Sequence, residues 1–104
     1  MGKSSNLRES AKYRIEKSEK FEEEARQLFG TDSNSAILAA LDWALSRKPF
    51  FGQLVKDSDK RAWSVRDSGY AFIAYYRILG DVVFLDSLIR RALPVSPKAL
   101  GLEE

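Results

Sequence analysis

Between residues 70 and 91 the chain reads YAFIAYYRILGDVVFLDSLIRR, two runs rich in Ile, Val, Phe and Tyr that meet at Gly80-Asp81. β-Branched and aromatic residues favour pleated backbone, and Gly at the first position of a two-residue turn accepts φ > 0 without a Cβ clash. The stretch therefore predicts a β-hairpin. Upstream, Trp63 and Val65 alternate with Ser64 and Arg66, a strand over about 61–66, and Asp67-Ser68-Gly69 turns it into the hairpin. Near the start, Ala11, Tyr13 and Ile15 alternate with Lys12, Arg14 and Glu16. This period of two predicts a short strand with one wet face, and its alternative is the first turns of a long charged helix.

Between these strands the period changes. Phe21, Ala25, Leu28 and Phe29 recur on one helical face behind Ser18, an N-cap candidate, and ahead of Gly30, a helix stop. Glu19 and Glu22 to Glu24 complement the positive helix start, and the acidic run reads as a solvated face. A second helix is expected from Asp32 or Ser33 to about Arg47. Ile37, Leu41, Ala44 and Leu45 form its stripe, Leu38 and Trp43 lie at the margins, and Pro49 ends it. Phe50-Phe51-Gly52 leads through Leu54 and Val55 to the polar loop KDSDK. Trp43 and Trp63 read as core or near-core anchors.

The order is strand, helix, helix, strand, strand, strand. The two-layer rule then gives an α+β fold: an antiparallel sheet of three or four strands with an N-terminal helical hairpin on one face. Residues 1–10 read as a loose polar tail, and Pro94 and Pro97 mark 94–104 as a second tail.

Composition narrows the chemistry. The chain has 104 residues, enough for one domain, and contains no Cys and no His. Disulfides and thiolate metal sites are excluded, and the commonest general acid–base and zinc ligand are missing. No acidic pair shares a predicted site, so neither a metal nor a cofactor is expected. No apolar run approaches the roughly 18 residues of a membrane span. The start, MGKSSNLRES, lacks the apolar stretch of a signal peptide, which makes a cytoplasmic protein the expectation.

A net charge of +2 permits an anionic partner without requiring one. Basic residues gather between Lys56 and Arg91: Lys56, Lys60, Arg61, Arg66, Arg77, Arg90 and Arg91. The intervening acids lie mostly in loops, so these cations are expected to share a face. Guanidinium groups on a stiff sheet hold phosphate or carboxylate well. The plainer reading is that Arg66 and Arg77 are solvated strand residues, that Tyr75 and Tyr76 pack, and that Asp86 pairs with Arg77 or Arg90.

YRIEKSEKFEEEARQLF, LDWALSRKPFFG and YYRILGDVVFL, in this order, resemble the RelE/ParE toxin superfamily of bacterial type II toxin–antitoxin systems. The resemblance spans residues 12 to about 91, within a domain of 11–93. It implies a toxin silenced by a cognate antitoxin. Such toxins either cleave mRNA, often on the ribosome, without a metal, or poison DNA gyrase. Cleavage by a 2′-hydroxyl needs a base, positive charge at the phosphate and a proton for the leaving oxygen. Arg61, Arg66, Arg77 and Tyr75 are the candidates for that catalysis, with Lys56, Lys60, Arg90, Arg91 and Tyr70 as RNA-binding residues. The family pattern is incomplete. The position of a catalytic arginine on the penultimate strand holds Ile73, and Ala92-Leu93-Pro94 stands where cleavers carry Tyr or His. These gaps favour a gyrase inhibitor, or a decayed homologue that only binds protein. The basic loop 56–61 favours RNA cleavage.

Overall fold

In the computed structural model, which describes residues 12–30 and 35–102, the early extended segment is strand β1 (Arg14–Lys17). Tyr13 precedes it, and both Tyr13 and Ile15 pack against the helix-side core. Ser18 caps helix α1 (Glu19–Phe29) by accepting the Phe21 N–H at 3.0 Å, and its hydroxyl donates to the Asp86 carbonyl at 2.9 Å. Gly30 ends α1 at φ 70°. Helix α2 (Ala36–Arg47) is capped by Ser35. The expected starts at Asp32 and Ser33 lie outside the described residues, as do residues 1–10.

Four further strands follow: β2 (Gln53–Leu54), β3 (Arg61–Asp67), β4 (Tyr70–Leu79) and β5 (Val82–Ala92). Their order in one sheet is β1-β5-β4-β3-β2. The molecule is α+β as expected, but the sheet has five strands and is mixed, because β1 runs parallel to β5. Two residues carry no readable alternation, which is why β2 was not legible. The helical hairpin between β1 and the later strands supplies the long connection that a parallel pairing needs. Both tight turns form. Ser68 and Gly69 have φ of 53° and 85°, and Gly80 has φ of 62°.

Phe21, Ala25, Ile37, Leu41 and Leu45 from the helices pack on Phe72, Ala74, Tyr76, Val83, Leu85 and Leu88 of one sheet face. The opposite face carries a smaller cluster of Ala62, Ala71 and Ile73, covered by Leu93, Val95, Leu100 and Leu102. The expectation of a loose tail from residue 94 is thereby corrected for 95–102. This segment contains a 3₁₀ turn (Pro97–Leu100), and Leu102 bridges Val55. Its alternate apolar residues meet the small side chains of the sheet, which leave room for it.

β5 departs from regular alternation. Tyr75 pairs with Ser87 and Tyr76 with Leu85, so Asp86 is an extra residue in a β-bulge. Glu24 of α1 reaches the same region and accepts the Leu88 N–H at 2.8 Å. The acidic run on α1 is thus not wholly a solvated face.

Candidate functional site

The bulge decides where the basic residues go. Arg77 and Phe84 are register partners and share the face away from the helices, with the Arg77 guanidinium 5.6 Å from the Phe84 ring centre. Beyond Asp86 the parity of β5 reverses. Arg90, opposite Phe72, therefore lies on the helix side, where its guanidinium sits 4.5 Å from the Tyr70 ring centre. Arg61, opposite Tyr76, is also on the helix side, four residues along β4 or about 13 Å from the Arg90 row. Arg66 and Arg91 flank Ala71 in one row of the other face. Arg77 is six residues from that row, about 20 Å, with Tyr75 and the C-terminal segment between. Lys56 is exposed in its loop. The expected single basic face is thus divided between two faces and several places along the strands.

One pair is brought together. Lys60 Nζ and Asp86 Oδ2 lie 2.6 Å apart, and the hydrogen bond from Lys60 holds the Asp86 carboxyl below its usual range, helped by the charges of Arg77 and Lys20. Asp86 pairs with Lys60 rather than with Arg77 or Arg90. Arg77 Nε is buried and has no hydrogen-bond partner among the described residues. A depressed carboxyl stabilises the fold above its unfolded pKa, and that contribution disappears as pH falls through the folded value. Asp86→Asn is expected to cost about 0.5–1 kcal/mol near neutrality. Thermal melts of variant and parent should converge in acid; a constant gap would show that the pair is not responsible.

Tyr75 donates to the Leu100 carbonyl at 3.1 Å, and burial raises its pKa against the opposing charge of Arg91. A phenol held protonated and engaged in this way is a poor proton acceptor. Tyr76 is a core residue with no exposure and donates to the Pro49 carbonyl at 2.5 Å.

The feature missed in the sequence lies just beyond α2. Pro49, Phe50 and Phe51 form a 3₁₀ turn in which Pro49 is buried, while Phe50 and Phe51 are 58% and 64% exposed. Trp43, expected in or near the core, is 62% exposed. The turn backbone is nonetheless held firmly. Arg61 Nη1 donates to the Phe50 and Gly52 carbonyls at 3.2 and 2.8 Å, alongside the bond from Tyr76 to Pro49. Each ring also receives a cation: Arg47 over Trp43 at 4.7 Å, Lys48 over Phe51 at 5.1 Å and Arg61 over Phe50 at 5.3 Å. Arg61 therefore braces this turn and is already engaged by protein groups. An open groove of about 380 Å³ is lined by Lys12, Tyr13, Arg47, Lys48 and the Pro49–Phe51 turn. The available signal was Phe50-Phe51 itself, because adjacent side chains seldom face one core together. Trp63, by contrast, packs against the helix-side core as expected.

Among the described residues no group of three His, Cys, Asp or Glu side chains could hold a metal ion, and no helix is long and apolar enough to cross a membrane. Comparison of the chain with protein-family models, curated proteins and solved structures finds no match.

Proposed function

We propose that the chain is a toxin-type protein of the RelE/ParE kind that acts by binding a protein target, in the manner of a gyrase inhibitor, without cutting RNA. The order of the matching segments, from YRIEKSEKF through LDWALSRKPFFG to YYRILGDVVFL, supports the family reading. The division of Arg61, Arg66, Arg77 and Arg90 between two sheet faces carries the preference for binding over cleavage. Phosphodiester cleavage needs base, phosphate-binding charge and acid within reach of one scissile bond. A cognate antitoxin is the partner implied in the cell.

RNA cleavage is the second reading. Arg66 and Arg91, both exposed and about 10 Å apart across Ala71, favour it as a pair able to straddle a phosphate backbone. Expression in bacteria separates the two. The binding mode predicts growth inhibition with intact mRNA ends and impaired gyrase supercoiling, unchanged in Arg66→Ala and Arg91→Ala. Discrete mRNA cleavage that disappears in those variants would establish the nuclease instead. Soluble, folded chain with no effect on growth would remove the toxin reading.

A further inference from the structure

We infer that the groove beside the Pro49–Phe51 turn is the docking site for an acidic, aliphatic-bearing segment of a protein partner, an inference that rests on the protein-binding reading above. Its first ground is rigidity combined with exposure. Side chains of Tyr76 and Arg61 fix the turn backbone through its carbonyls, yet both Phe rings project into solvent. Exposed aromatic groups cost little conformational entropy on binding when their backbone is already held, and such groups dominate interface energetics. A monomer gains nothing evident by holding two exposed phenylalanines so firmly.

The second ground is charge. Lys12 and Lys48 bring positive charge to the groove and, among the described residues that line it, no side chain is acidic. Complementarity calls for carboxylates on the occupant, placed around aliphatic groups that pack on the exposed rings of Phe50 and Phe51. A single-stranded nucleic acid fits less well. A stacking base would have only the face of Phe50 or Phe51 that lies opposite its cation. A carboxylate pairs with Lys48 where it stands against Phe51.

The probe is a fluorescently labelled peptide of Glu and Leu at helical spacing, titrated onto the full chain beside its Lys-for-Glu counterpart and oligo-uridylate RNA. The Glu–Leu peptide should bind and the Lys–Leu peptide should not. Lys48→Glu, and the pair Phe50→Ala with Phe51→Ala, should each weaken binding about tenfold or more, with Arg66→Ala unchanged. Amide shift changes on the parent chain, which need no variant, should centre on residues 47–51. Absence of Glu–Leu binding, indifference to these substitutions, or tighter oligo-uridylate binding with the same dependence would overturn the site. A chain that inhibits growth but binds no Glu–Leu peptide would refute the groove alone. One that binds the peptide at the groove without inhibiting growth would leave the groove and refute the toxin reading.

Discussion

Gly52→Ala is expected to lower the unfolding free energy by about 2–3 kcal/mol, a large effect for adding one methyl group. The backbone at Gly52 is ordinary extended chain, so left-handed strain is not involved. Space is the cause. A Cβ at this position would overlap Tyr76 Oη and come within 2.9 Å of both Tyr76 Cζ and the Ala62 carbonyl oxygen. The tyrosine is fully buried and the carbonyl belongs to the sheet, so neither can swing away cheaply. Tyr76→Phe alone should cost about 1–2 kcal/mol, because the Pro49 carbonyl loses its donor in a buried setting. In the Tyr76→Phe background the alanine no longer meets the hydroxyl, so the double variant should be more stable than the summed single losses imply, by about 1 kcal/mol. Urea denaturation of the four proteins measures this coupling, and strict additivity would mean that the hydroxyl is not the obstacle.

Stability should also fall steeply in alkali because of the same tyrosine. Burial pushes the Tyr76 phenol up to about 12, against the opposing influences of the Gly52 backbone and the Arg61 guanidinium. The folded chain therefore keeps a proton that the unfolded chain releases from its ordinary value of 10.0 upward. The contribution is fully present below that ordinary value and is lost as pH rises through about 12. Two pH units of displacement correspond to about 2.7 kcal/mol. Denaturation at successive pH values should show this decline in the parent and a shallower one in Tyr76→Phe. Equal slopes would place the alkaline sensitivity elsewhere, with Tyr75 the next group to test. Both experiments probe one joint, where β4 meets the turn that presents Phe50 and Phe51.

Most of the fold was legible because its signals are local. Gly80 and Ser68-Gly69 adopt the positive φ values that tight hairpins require, and the stripe Phe21, Ala25 and the pair Leu41, Leu45 reach the core as their spacing requires. Ser18 caps α1, and the Glu residues behind it lie where the helix dipole favours them. The candidate site was less legible, and Arg90 shows why. Unbroken alternation along β5 would leave Arg90 on the face of Phe84 and Arg77. The bulge at Asp86 inserts one residue and sends Arg90 across the sheet to Tyr70. An acid in an apolar run signalled a partner, yet nothing in its neighbours announced an added residue in the ladder. Trp43 failed differently, since hydrophobicity marks a tendency to bury and not the layer available to bury against.

The amino-acid sequence by itself determined the two helices, the last three strands, the hairpin turns, the caps of α1 and the exclusion of thiolate and imidazole chemistry. These depend on backbone sterics and side-chain type within a few residues. Only the tertiary structure decided the parallel pairing of β1 with β5, the packing of 95–102 on the second face, the division of the arginines and the exposure of Phe50 and Phe51. Each of these arises from contacts between residues distant in the chain, where register and available surface, rather than local preference, set the outcome.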